Sequence, residues 1–169
     1  KGVAVYPSPE MLALIQDKGA QKEFYRSQNI PTAPYALLES GFDSLLEDWK
    51  APFVLKSRRG GYDGKGVMVV KPDTLSEGRF SEPSLVEELA DIRKEISVIV
   101  ARNPKGEIKA FPPVEMEFDP RANLVSALIS PADLSDDVAD KAIAMACDVA
   151  EKLGLIGILA VEMFWLNSG

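Results

Sequence analysis

The chain has 169 residues, 46% of them apolar and 27% charged, a globular composition that excludes a wholly disordered chain and allows about two thirds of the unfolded surface to be buried. The net charge of −7 excludes broad electrostatic capture of nucleic acid, so any anion site has to be a local exception. Histidine is absent and cysteine occurs once, as Cys147, which excludes Ser-His and Cys-His nucleophile pairs, His-ligated zinc, an internal disulfide and multi-cysteine metal sites.

The elements are predicted as follows. Val3 to Tyr6 reads as the last strand of something upstream, and Pro7-Ser8-Pro9-Glu10 as a helix start with Ser8 as N-cap, leading into Met11, Leu12, Leu14 and Ile15. A polar helix is expected from Asp17 to about Gln28, ended by Asn29-Ile30-Pro31. A short strand over Pro34 to Leu38 and a short helix over Phe42 to Trp49, opened by Asp43 or Ser44, follow. Phe53-Val54-Leu55-Lys56 and Val67-Met68-Val69-Val70 form a hairpin with a long, glycine-laden connection. Further strands are expected over Leu85 to Glu88, Glu95 to Ala101, Ile108 to Phe111, Val114 to Phe118 and Leu124 to Ser130, as a continuing antiparallel meander.

Val138, Ala142, Met145, Ala146, Val149 and Leu153 lay one apolar stripe along a helix from Ser135 to Leu153, with Ser135 as N-cap and Gly154 as the left-handed stop. Cys147 is a plain residue of that helix. Gly157 to Phe164 reads as a buried strand, followed by a turn at Asn167-Ser168-Gly169. The fold class is α+β, a meander with covering helices. Both abrupt ends suggest a piece of a larger protein. No apolar run reaches about 18 residues, so no helical membrane span is expected, and a cytoplasmic location is the default.

Ser57-Arg58-Arg59-Gly60-Gly61-Tyr62-Asp63-Gly64-Lys65-Gly66 holds four of the twelve glycines and, with Lys56, four cations against one acid. Such a loop lets backbone N–H groups approach an anion while cations neutralise it, as a triphosphate requires. It is no Walker A loop, since Gly66 follows Lys65, and no dinucleotide fingerprint, since no helix pattern follows. The bland alternative is a solvated hairpin loop. Lys56 alternates with Phe53 and Leu55 and shares a face with Val54, which suits an inward, anion-holding lysine; the alternative is a strand-end lysine with its ammonium in water. Glu162 shares a face with Ile158 and Ala160, and a carboxylate in an apolar strand needs a partner; Mg²⁺ is one, a salt bridge or solvent the alternatives. Lys18 and Lys22, one helical turn apart, read as a surface face, and Glu87, Glu88 and Glu95 as strand-end acids able to accept ribose hydroxyls or, more blandly, as a polar turn.

Taken in order, Tyr6-Pro7-Ser8-Pro9, Gln16-Asp17-Lys18, Gln21-Lys22, Ile30-Pro31-Thr32-Ala33-Pro34, Lys56 to Gly66, Glu95 to Arg102 and Ala160 to Phe164 resemble the ATP-grasp superfamily. Within it they resemble the carboxyaminoimidazole ribonucleotide synthetases of purine biosynthesis, also called the ATPase subunit of phosphoribosylaminoimidazole carboxylase. The resemblance implies an ATP-grasp fold, with residues 1–8 ending an N-terminal domain, 9–31 as linking helices, 32–90 as the small lid subdomain and 91–169 as an incomplete large subdomain. It implies ATP and Mg²⁺ as ligands: Lys18 and Lys56 on the nucleotide, Gly61, Tyr62, Asp63, Gly64, Lys65 and Gly66 over the phosphates, Glu87, Glu88, Leu89 and Ala90 along adenine, Glu95 at ribose, and Glu162 on the metal.

The implied reaction is an ATP-dependent ligation in which bicarbonate becomes carboxyphosphate and then carboxylates aminoimidazole ribonucleotide, in a homodimeric parent. The family's second magnesium glutamate and its His-Asn-Ser-Gly-His substrate loop would follow Gly169, so weak nucleotide binding and little turnover are expected of these residues alone. The rival expectations are another ATP-grasp ligase, such as a biotin carboxylase relative, and a non-catalytic anion-binding module.

Overall fold

A computed structural model describes residues 2–39, 49–61, 66–74, 80–119 and 124–168. The expected helix over Phe42 to Trp49 and the loop residues Tyr62, Asp63, Gly64 and Lys65 lie, wholly or nearly so, outside the described residues. The chain divides into two compact units, Ala13–Ala90 and Lys1–Leu12 with Asp91–Gly169.

In the Ala13–Ala90 unit, helix α2 (Lys18–Ser27) follows α1 (Pro9–Ile15), within which the division falls. Ser8 starts α1 as expected: its hydroxyl accepts the Met11 N–H at 3.3 Å and its carbonyl the Leu12 N–H at 3.0 Å. Asp17 caps α2, its Oδ1 accepting the amides of Gly19 at 2.9 Å and Ala20 at 3.1 Å. The helix ends where Asn29 takes a left-handed φ of 53°, just ahead of Pro31, which cannot continue it.

Four antiparallel strands follow: β1 (Tyr35–Leu38), β2 (Phe53–Ser57), β3 (Val67–Val70) and β4 (Ser84–Glu88). The β2–β3 hairpin has the expected partners, Phe53 opposite Val70 and Lys56 opposite Val67. The order across the sheet is β1-β4-β2-β3, so this half is not the meander its sequence suggests: β4 enters between β1 and β2. Period-2 alternation sorts the faces. Leu38, Phe53, Leu55, Val70 and Val86 form a buried core on one side. Val54, Lys56 and Glu87 point to the other, where α2 approaches β4.

The second unit is built on β5 (Ile92–Arg102), with β6 (Ile108–Ala110), β7 (Val114–Asp119), β8 (Leu124–Ile129), α3 (Asp136–Lys152) and β9 (Gly157–Leu166). β9 pairs antiparallel along nearly all of β5, while β7 and β6 share the opposite edge and β8 pairs with β7. This too departs from a meander, because β5 takes its longest partner from the end of the chain. α3 covers one face: Ala142, Ala146 and Ala150 let it lie close on Ile96, Val98 and Val100, with Leu155 completing the core. Cys147 packs half-buried beside them.

Three expectations need correction. Ser135 holds the N-cap position of α3, and its carbonyl accepts the Ala139 N–H at 3.0 Å, but its side chain makes no capping bond. Gly154 does take the left-handed stop, at φ 62°. β9 is not buried: its residues alternate between half-buried and exposed, Ile158 being 73% and Phe164 48% accessible, because α3 covers one sheet face only. Val3 to Tyr6 forms no strand, and Val3, Val5 and Tyr6 are exposed. No helix among the described residues is long and apolar enough to cross a membrane.

Candidate functional site

The root of the glycine-rich loop is tied to the start of α2. Arg58 grips Asp17 with two parallel bonds, Nε to Oδ1 and Nη2 to Oδ2, both 3.0 Å, and Arg59 Nε reaches Oδ2 at 3.2 Å. This fork on a carboxylate combines charge with fixed geometry. Burial pushes the Asp17 carboxyl upward, but the Arg58 guanidinium, the Ala20 amide and Arg59 outweigh it and hold the pKa at about 2. The same contact holds the Arg58 guanidinium above its ordinary value. Gly19 makes room for it, since a Cβ there would stand 2.5 Å from Arg58 Nε. The Lys18 N–H donates to the Arg58 carbonyl at 2.9 Å, and Lys18 Nζ to the Gly60 carbonyl at 3.2 Å.

At its far end the loop closes backbone to backbone. The Ser57 N–H donates to the Gly66 carbonyl at 2.8 Å, Gly66 has φ 75°, and a Cβ on it would lie 2.9 Å from the Gly61 Cα. Gly66 is required by the neck twice over, by its left-handed conformation and by its close approach to Gly61, which itself has φ 72°.

Beside this neck three ammonium groups surround one carboxylate. Glu87 is buried in β4; its Oε2 accepts from Lys56 Nζ at 2.7 Å, and Lys22 Nζ stands 3.2 Å from its Oε1. Lys56 is opposite Leu85, and Glu87 is the diagonal neighbour on the same face. Lys56 is therefore inward, as its alternation with Phe53 and Leu55 predicts. Lys18 and Lys22 correct the surface reading: both are half-buried on the α2 side facing β4, and burial lowers their pKa values, with the Lys56 charge adding to the effect. The cluster bears two more positive charges than its single acid neutralises, a local exception within an acidic chain. Half-buried cations in a low-dielectric setting attract a polyanion more strongly than the same lysines spread over a surface.

Of the other candidates, Glu88 and Leu89 are exposed and Ala90 is half-buried at the end of β4. Lys22 and the Asp17–Arg58 clamp escaped the sequence reading. The spacing of Lys18 and Lys22 was a signal for the first, whereas the second joins residues 41 positions apart.

In the other unit, Glu95 pairs with Phe164 and Ser97 with Glu162 across β5 and β9. Glu95, Ser97 and Glu162 thus share the sheet face opposite α3. Glu162 is exposed there, so the cost of a buried carboxylate, on which its choice from sequence relied, does not arise. Among the described residues no group of three or more side chains could hold a metal. An exposed carboxylate such as Glu162 fits an ion whose remaining ligands are phosphate oxygens and water, as Mg²⁺ commonly takes them.

The ATP-grasp domain matches residues 23–169, most of the chain. The chain belongs to the ATP-grasp family. An N5-carboxyaminoimidazole ribonucleotide synthase from Mycobacterium tuberculosis is 36% identical over 179 residues, covering 99% of this chain and 41% of that one. The ATP-grasp fold seen here matches the crystal structure of N5-carboxyaminoimidazole ribonucleotide synthetase from Thermotoga maritima at TM-score 0.86 and 35% identity, over 99% of this chain and 43% of the other. The Aspergillus clavatus enzyme, solved with ADP and 5-aminoimidazole ribonucleotide, matches at TM-score 0.85 and 27% identity, over 99% and 45% respectively. The chain spans less than half the length of these relatives.

Proposed function

We propose that this ATP-grasp chain holds the nucleotide in an ATP-dependent ligase that carboxylates aminoimidazole ribonucleotide with bicarbonate. The observation that carries the reading is the Lys18-Lys22-Lys56 cluster around Glu87 at the neck of the glycine-rich loop; the names of the relatives supply the reaction. Lys18 and Lys56 offset phosphate charge, and Gly61 to Gly66 present backbone amides. Glu88, Leu89 and Ala90 line adenine, while the Glu87 carboxylate, already engaged by two lysines, sets their positions. In the other unit, Glu95 serves a ribose hydroxyl and Glu162 binds Mg²⁺.

Phosphoryl transfer from ATP to bicarbonate asks little covalent chemistry of a protein. Positioning and charge stabilisation dominate, and exclusion of water preserves the labile carboxyphosphate. The missing histidine is no obstacle, since no proton needs an imidazole in that step. Bound Mg²⁺ would neutralise phosphate charge. The family resemblance further suggests a cytoplasmic homodimer as the parent.

Calorimetric titration with ATP, with and without Mg²⁺, tests the reading. Wild type should bind saturably and more tightly with Mg²⁺, and Lys56→Ala should weaken binding by about 10-fold or more, the worth of one charge-assisted hydrogen bond. Equal affinity in both proteins, or a response indifferent to metal, would favour a simple anion-binding module.

A further inference from the structure

We propose that Glu87 and Lys22 are positioning residues: the buried carboxylate, held on its other oxygen by the half-buried Lys22, aims the Lys56 ammonium beside that of Lys18. The inference rests on the proposed function only for the identity of the anion as ATP.

The two oxygens of Glu87 divide their work, Oε2 taking Lys56 at 2.7 Å and Oε1 facing Lys22 at 3.2 Å. Lys22 lies on the closed side. Its side chain is only 12% exposed, its Nζ also donates to Thr32 Oγ1 at 2.5 Å, and it stands 5.6 Å from the centroid of the Tyr35 ring. With its surroundings filled in this way it has little surface to offer a ligand. Lys56 is more open, and Lys18 reaches the loop at Gly60.

The charges facing the cluster come from every packed element: Lys18 and Lys22 from α2, Asp17 at its cap, Lys56 from β2 and Glu87 from β4, with Tyr35 from β1 as a neutral neighbour. Asp17 is occupied by Arg58 and Arg59. Glu87 is thus the one acid in direct contact with Lys22 and Lys56 among these groups. Without it three ammoniums would face one another half-buried with no carboxylate between them. Burial and the Lys56 charge lower the Lys18 pKa, and the Asp17 and Glu87 carboxylates act in the opposite sense.

The test measures, by calorimetry at neutral pH, the affinity for ATP and for inorganic triphosphate in Glu87→Gln, Lys22→Met and Lys22→Arg, each alone and combined with Lys56→Ala. Glu87→Gln should lower ATP affinity several-fold while Lys56 is present and change it little in the Lys56→Ala background. Lys22→Met leaves Glu87 Oε1 without its lysine and should lower ATP affinity several-fold under the same dependence on Lys56; Lys22→Arg should restore the affinity. A purely structural role would lower affinity by the same factor with or without Lys56, which would overturn the proposal. Should Glu87→Gln not fold, an equal effect of Lys22→Met in both backgrounds overturns it equally. The Lys56-dependent pattern seen with inorganic triphosphate, without any ATP binding in wild type, would uphold the positioning and refute the nucleotide reading.

Discussion

Asp17 serves a helix and a loop with two oxygens: Oδ1 accepts the Gly19 and Ala20 amides, and both oxygens take the Arg58 fork. Its pKa of about 2 lies below that of an unfolded aspartate, so the fold binds its proton less readily than the unfolded chain. The resulting stability is fully present above about pH 4 and is lost as pH falls from there through about 2, a contribution of about 2 kcal/mol. Asp17→Asn keeps a capping oxygen and loses the charge. Thermal unfolding followed by circular dichroism should show the wild type losing stability steeply between about pH 4 and 2, and the variant starting about 2 kcal/mol lower at pH 7 with a flatter slope in that window. Parallel curves would refute the clamp. The sequence shows a helix opening at Asp17, but Arg58 lies 41 positions away, and no local pattern pairs them.

The β2–β3 hairpin was legible because two β-rich runs flank a glycine-dense polar stretch. What closes its neck was not, since glycines in a loop look alike until backbone atoms meet. Gly60 and Gly66 both have φ near 70° to 75°, yet a Cβ on Gly60 meets nothing within 4 Å while one on Gly66 meets the Gly61 Cα at 2.9 Å. Gly60→Ala should therefore cost only the left-handed backbone, about 1 kcal/mol. Gly66→Ala should cost about 2–3 kcal/mol and weaken ATP binding as well, because the neck must open. Denaturant unfolding and calorimetry on both variants check this; equal losses would mean the close approach has no influence. Strand order was likewise hidden. The placement of β4 between β1 and β2 puts Glu87 beside Lys56, whereas a sequential meander would have kept them apart.

Over the whole chain, a net charge of −7 repels a nucleotide at long range, and the lysine cluster attracts it at short range. Salt screens both, but the exposed acids far more than the half-buried cluster. ATP affinity should accordingly fall only modestly between about 0.05 and 0.5 M KCl, and Lys56→Ala should show a shallower salt slope than wild type when both are measured by calorimetry. A steep loss in wild type, erased by salt alone, would point to diffuse surface attraction instead.

Composition, helix starts, strand runs and the glycine-rich loop were determined by sequence alone, because periodicity, caps and backbone freedom are properties of a few neighbouring residues. The identity of the charged groups that meet was decided by tertiary structure. Lys22, Lys56 and Glu87 come from three elements, Lys56 and Glu87 alone standing 31 positions apart. Their meeting depends on strand order and on which face each side chain takes, and a slip of one residue in either strand would turn a lysine away from the carboxylate.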